Sequence, residues 1–229
     1  MKQPDGPQFY GRRKGRPLRA HLQSLMQTSL DKVRLHLDDA DHLADPASLF
    51  PHHPETLYLE IGFGGGEHLA QLAKANPDAG FIGAEPFVNG VASLLRHIDD
   101  AGLENIRIWP DDVRLILDAL PAGALSGAYI MFPDPWPKRR HASRRILNQT
   151  MLDALARLIR PGGHLRMASD HPEAKIWLLA EAMAHDAFLW NATQPADWRA
   201  RPDDWPQTRY MAKGVREGRP SSWFAFQRL

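Results

Sequence analysis

Leu57-Tyr58-Leu59-Glu60-Ile61-Gly62-Phe63-Gly64-Gly65-Gly66 is the stretch on which the fold turns. Its first five residues are apolar but for Glu60 and read as a buried strand that stops at Gly62. From Gly66 to Ala75, Leu69, Leu72 and Ala73 fall on one helical face. Strand, glycine turn and helix in immediate succession form the opening unit of a parallel α/β fold.

The alternation continues outward. Phe81 to Ala84 reads as a second strand ending at Glu85, and Val88, Val91, Leu94, Leu95 and Ile98 then keep helical spacing. A third strand is expected over Asn105 to Trp109, a short helix over Val113 to Leu120, and a fourth strand over Gly127 to Phe132. Leu147, Met151, Leu155 and Leu158 predict a helix from Arg144 to Ile159. Pro161-Gly162-Gly163 should then turn the chain into a fifth strand, His164 to Ala168. A helix over Pro172 to His185 and a closing strand over Ser222 to Phe226 complete a mostly parallel sheet covered on both faces.

Ligands of such sheets bind beyond the carboxyl ends of the strands. The acids collect there: Glu60, Glu85, Asp112, Asp134 and Asp170 each end a strand or begin the loop after it. Any one of them could merely cap a helix; five in succession point to a site. In the glycine loop, Gly62 and Gly64 let a ligand approach the backbone. The spacing is Gly-x-Gly-x-Gly, not the Gly-x-Gly-x-x-Gly of dinucleotide sites. Glu60 before the loop would disfavour a pyrophosphate and suit the cationic amino and sulfonium groups of S-adenosylmethionine. Glu85 is placed for ribose hydroxyls, and Asp112 for an adenine amino group.

The 229 residues suffice for one large domain, and 43% hydrophobic content with seven tryptophans supplies a core. We divide them into a basic, flexible arm over residues 1–20 and a single domain over 21–229. The absence of cysteine excludes disulfides, thiolate metal sites and thiol nucleophiles. The eleven histidines lack ligand spacing and no Gly-x-Ser-x-Gly occurs, so neither a metal enzyme nor a serine hydrolase is expected. His52-His53 reads as surface, and Trp198 and Trp205 as loop anchors. With no long apolar run and no signal-peptide core after Met1-Lys2, the expectation is a soluble, cytoplasmic protein without membrane contact; an Arg-rich transit peptide is the lesser reading. Net charge is only +1, but its distribution is uneven. Arg12, Arg13, Lys14, Arg16 and Arg19 form one basic cluster, and Lys138, Arg139, Arg140, Arg144 and Arg145 a second. Segregation of this kind suggests a basic face for nucleic acid.

The most specific stretch is Phe132-Pro133-Asp134-Pro135-Trp136-Pro137-Lys138-Arg139-Arg140-His141. Prolines stiffen the end of strand four and hold Asp134 and Trp136 in place. A carboxylate accepts two donors side by side, as the N1–N2 edge of guanine offers, and an indole stacks a splayed-out base. The cations that follow suit phosphates, with His141 as an added polar group. RNA is therefore the expected partner.

Continued as Phe132-Pro-Asp-Pro-Trp-Pro-Lys-Arg-Arg-His-Ala-Ser-Arg-Arg145, this motif resembles the signature of the bacterial tRNA (guanine-N7)-methyltransferase family. Glu60-Ile-Gly-Phe-Gly, Gly83-Ala-Glu85, Ala168-Ser-Asp170, Thr208-Arg-Tyr210 and the arm Phe9-Tyr10-Gly11-Arg12-Arg13 follow that family in order along the whole chain. The resemblance implies a Rossmann-like class I S-adenosylmethionine-dependent methyltransferase fold, a seven-stranded, mostly parallel sheet with helices on both faces. It implies methylation of the variable-loop guanosine at position 46 of tRNA. By motif match, Glu60, Gly62, Gly64, Glu85, Asp112 and Asp134 would hold the cofactor, Asp134 being also the catalytic residue. Lys138, Asp170, Thr208, Arg209, Tyr210 and Met211 would bind substrate, and Arg140, His141, Arg144 and Arg145 would bind RNA. One position departs: the family continues Thr-x-aromatic with a glutamate, where this chain has Met211.

Guanine N7 carries an in-plane lone pair that is unprotonated near neutrality, so its methylation needs alignment and electrostatics, with Asp134 and Asp170 holding the base, and no general base. The rival activities are an amino methyltransferase, which would end strand four in Asp-Pro-Pro-aromatic, and an NAD-dependent oxidoreductase, which the glycine spacing disfavours. A non-catalytic RNA-binding module on the same scaffold is the third alternative, kept alive by Met211. A monomer is expected, a dimer being the other possibility.

Overall fold

A computed structural model describes residues 9–39 and 43–229. The beginning of the arm, Met1-Lys2 with it, lies outside the described residues. Strand β1 spans Leu57–Ile61, β2 Gly80–Ala84, β3 Ile106–Trp109 and β4 Leu125–Met131. Strand β5 spans Ile159–Ser169, β6 Phe188–Trp190 and β7 Ser222–Arg228. They form one seven-stranded sheet in the order β3-β2-β1-β4-β5-β7-β6. The pairs from β3 through β5 are parallel, and β7 is antiparallel to both of its neighbours. Because order reverses at β1, with β2 on one side and β4 on the other, a crevice opens at the carboxyl ends of β1 and β4.

Side chains alternate through the sheet. Leu57, Leu59 and Ile61 of β1 face one core with Ile130, Leu152, Leu155 and Leu178. That core is closed by helix Gln149–Leu158 and helix Pro172–Met183. On the opposite face Phe81, Ile108 and Met131 pack under Leu69, Leu72, Val91, Leu94 and Leu95. These come from helix Glu67–Ala75 and helix Val88–Ala101. The β-to-α units thus cover both faces, as the alternation in sequence requires.

Three local expectations are corrected. The segment after β3 forms two 3₁₀ turns, Val113–Leu115 and Leu117–Ala119, in place of one helix. The Asp112 side chain caps the first of them and Pro121 follows the second, leaving room only for short i→i+3 turns. The helix expected from Arg144 starts at Gln149, because Asn148 Oδ1 accepts the Met151 N–H at 3.0 Å as an N-cap. Arg139–Arg144 is instead a 3₁₀ turn. Pro161-Gly162-Gly163 does not precede β5 but bulges within it: Ile159 sits opposite Leu125 and His164 opposite Gly127. Strand β6, helix Ala20–Thr28 and helix Arg209–Arg216 had no expected counterpart.

Trp205 is 1% exposed and packs edge-on against Trp223. The described arm residues run along the fold: the Arg13 carbonyl accepts from Val88 N–H, the Gly15 N–H donates to Asn89 Oδ1, and Arg13 pairs with Asp111 at 2.7 Å.

Candidate active site

Two adjoining cavities open at the carboxyl ends of the strands. The larger, about 490 Å³, is lined by Gly62, Gly64, Glu85, Asp112, Asp134 and Trp136, with Phe9 to Arg12 of the arm along one side. The smaller, about 270 Å³, is bounded by Glu60, His68, Met131 and the Thr208-to-Met211 segment. Gly62, Gly64 and Phe132 border both. Of the five acids read from the sequence, three therefore face the larger cavity and one the smaller. Asp170 faces neither.

The glycine loop is shaped by conformation. Gly62 and Gly64 have φ of 71° and 54°, in the left-handed region, and a Cβ on either would meet open space. Glu85 braces the loop from below: its carboxylate accepts the Gly64 N–H at 2.8 Å and the Phe87 N–H at 2.9 Å. Burial raises the Glu85 carboxyl above its ordinary range, and the nearby charges of Asp134 and Glu60 push the same way. Gly90, which the sequence reading passed over, lets the helix beginning at Val88 approach the loop; a Cβ there would stand 2.3 Å from the Gly64 carbonyl oxygen.

Each remaining acid on this side already has a partner. Asp112 is clasped by Arg114, whose Nε and Nη2 donate at 3.0 and 2.6 Å. An adenine amino group would therefore share that carboxylate with a guanidinium unremarked in the sequence. Glu60 accepts from His68 Nδ1 at 2.8 Å; the two side chains are 1% and 4% exposed. Asp170, 5% exposed, accepts from Tyr210 Oη at 3.2 Å and from Arg219 Nε at 2.8 Å. It therefore fastens helix Arg209–Arg216 at both ends, with Gly214 leaving room for its Oδ2.

The loop after β4 is built differently. Phe132 and Trp136 both adopt left-handed backbone, with φ of 53° and 38°, on either side of Pro133-Asp134-Pro135. Non-glycine residues held so cost about 1–3 kcal/mol each and persist only when their surroundings fix them. Phe132 is fixed by its N–H to the Ala168 carbonyl at 2.8 Å and by its ring against Tyr210 and Trp223. Trp136 is fixed by Arg145, which donates to its carbonyl at 3.3 Å and lies over Trp177. Arg144 lies over the rings of both Trp136 and Tyr10, at 5.0 and 4.8 Å. His141 meets Trp136 edge-on. Asp134 is exposed and has no hydrogen bond or ion pair among the described residues. Lys138, Arg139 and Arg140 are exposed as well.

Thr208 caps its helix by accepting the Met211 N–H at 3.3 Å, while Met211 Sδ accepts the Thr208 N–H at 3.4 Å. The thioether thus fills the reciprocal place that a glutamate takes in a capping box. Arg209 pairs with Glu67 through its backbone N–H and Nε. Among the described residues no cluster of three or more histidine or acidic side chains could hold a metal ion.

Comparison with solved structures places the fold. An rRNA methylase from Streptococcus thermophilus superposes with a TM-score of 0.52 at 15% identity, covering 84% of this chain and 95% of its own. An antibiotic-related methyltransferase gives 0.56 at 18% identity, over 84% and 93%. The fold is that of the class I methyltransferases, and the glycine loop and cavities stand at the carboxyl ends of its strands.

The sequence model of the family described as "Putative methyltransferase" matches residues 54–222. A tRNA (guanine-N(7)-)-methyltransferase of Rhodospirillum rubrum is 50% identical over 99% of this chain and 90% of its own. That of Paramagnetospirillum magneticum is 47% identical, over 97% and 93%. The chain belongs to the tRNA (guanine-N(7)-)-methyltransferase family.

Proposed function

We propose that this chain transfers the methyl group of S-adenosylmethionine to N7 of the guanosine at position 46 in the variable loop of tRNA. The observation that carries the reading is the junction of the two cavities at Gly62, Gly64 and Phe132, beside an exposed carboxylate and an indole. The larger cavity has the size of a small-molecule site and suits the adenosine part, with Glu85 beside the ribose and Asp112 and Arg114 toward the adenine. The smaller suits the amino-acid end, near Glu60.

S-adenosylmethionine, when bound, supplies an electrophilic methyl group on a cationic sulfur. What remains for the chain is placement. Asp134 is the catalytic group: it holds the guanine edge and favours the positive charge that arrives on the ring. Trp136 offers a stacking face, and Phe132 stands where the two cavities meet. No side chain has to remove a proton, because N7 presents a lone pair in the ring plane. Lys138, Thr208, Arg209, Tyr210 and Met211 border the substrate, with Asp170 holding that segment in position. Arg140, His141 and Arg144 meet the RNA, and Arg145 supports the loop from inside.

Residues 21–229 act as one methyltransferase domain, and the arm contributes Phe9 to Arg12 to the cofactor side. No described helix is long and apolar enough to cross a membrane; the reading has a monomer working in the cytoplasm, where tRNA is found. The binding-module alternative loses its main support, since Met211 fills a capping role. The assay is incubation with labelled S-adenosylmethionine and unmodified tRNA, followed by chemical cleavage at N7-methylguanosine. Incorporation without cleavage at position 46 would overturn the site of transfer, and cofactor binding without incorporation would revive the binding module.

A further inference from the structure

His68 belongs to no motif that points to function, yet it is the most unusual polar group in the smaller cavity. It stands on the first turn of helix Glu67–Ala75, and its ring lies edge-on to Tyr129 at 5.4 Å. Its Nδ1 lies 2.8 Å from Glu60 Oε2 and so carries a proton, which in the neutral ring leaves the lone pair on Nε2. That Nε2 is buried and has no partner among the described residues. A buried acceptor left unmatched is costly, and in a cavity wall it marks the place where a ligand donor belongs.

The other polar groups of the wall are already engaged. Arg209 and Glu67 hold each other, and Thr208 is taken up by its helix cap. Glu60 lines the same cavity, 1% exposed and bonded to His68 Nδ1. The pair thus sets a carboxylate and an unpartnered ring nitrogen side by side in one cavity wall, a combination that suits a cationic donor.

Resting on the reading that S-adenosylmethionine spans both cavities, we propose that His68 Nε2 accepts a hydrogen bond from the α-ammonium of the cofactor's amino-acid end. Glu60 is then a positioning residue that fixes the tautomer and orientation of His68 and lends it negative charge. The arrangement makes the smaller cavity a reader of the amino-acid end, independent of the adenosine contacts in the larger one.

Calorimetric titration with two ligands tests this. S-adenosylhomocysteine carries the amino-acid end, and 5′-methylthioadenosine lacks it. His68→Asn keeps a donor where Nδ1 bonds Glu60 but removes Nε2; His68→Gln puts a polar atom back near the Nε2 position. A hydrogen bond to a charged group leads us to expect about tenfold weaker S-adenosylhomocysteine binding in His68→Asn, partly restored in His68→Gln. Methylthioadenosine should change by less than about twofold in both, and its retention shows that the pocket is folded. Unchanged S-adenosylhomocysteine affinity in His68→Asn, or equal losses for both ligands, overturns the role of His68. A wild-type chain that binds neither ligand overturns the cofactor reading itself, and this inference with it.

Discussion

The glycine-loop side and the strand-four side of the site hold their functional groups by opposite means. Around Gly62 and Gly64 every carboxylate is matched inside the chain: Glu85 with two amides, Asp112 with Arg114, Glu60 with His68. Around Asp134 the carboxylate and three neighbouring cations are exposed, and order comes from strained backbone and from rings under guanidinium groups. The first arrangement presents a finished surface to a small ligand. The second leaves valences open for a large, polyanionic one. Matched groups shape a pocket, and unmatched groups recruit a partner.

The most direct way to break this contrast is Asp134→Ala. Removing a preorganised group that meets developing charge commonly costs on the order of 10²–10³ in rate. We expect turnover to fall by that amount with the melting temperature unchanged; near-normal turnover would remove Asp134 from catalysis. Acid sensitivity should arise away from both sides, at His164 in the sheet beside Tyr58 and Tyr129. Burial, helped by Arg166, pushes the His164 imidazole down to about 4. The unfolded chain then takes up a proton between pH about 6.5 and 4 that the folded chain refuses. Stability should fall across that window by up to roughly 3 kcal/mol, and His164→Gln should flatten the decline in a urea-denaturation series.

Gly90→Ala probes the loop from behind. Its methyl group would press on the Gly64 carbonyl, and overpacking of this kind costs typically 1–3 kcal/mol. Cofactor affinity should fall together with stability, whereas tRNA affinity should hold. The smallest effects separate two arginines of one run. Arg140→Ala should shallow the salt dependence of tRNA binding by up to about one unit of slope. Arg145→Ala should leave that slope unchanged and lower turnover, because its guanidinium supports the Trp136 carbonyl. Equal slope changes would erase the distinction.

Much of this architecture was legible because period and punctuation agree. Leu57-to-Gly66 gave strand, turn and helix from its apolar spacing and its glycines, and the family resemblance supplied the strand count. Helix Ala20–Thr28 was missed because its buried side is little more than Leu25, with flanking residues that read as polar arm. Strand β6 has three residues, too few to display an alternation. Within the site, residue type was readable and engagement was not. Asp112 and Asp170 were recognisable as acids near strand ends, but the arginines that occupy them come from a turn and from beyond a helix. Arg145 looked like its neighbours in the basic run; only packing against Trp177 turns it inward.

The left-handed backbone at Phe132 and Trp136 has one further consequence. Between these residues stand two prolines with fixed φ, so the backbone that carries Asp134 has few torsions left. Its path is settled while the protein folds, long before any RNA arrives. The entropy of ordering that backbone therefore falls on the folding equilibrium, and the incoming guanine has only the side-chain torsions of the carboxylate left to order.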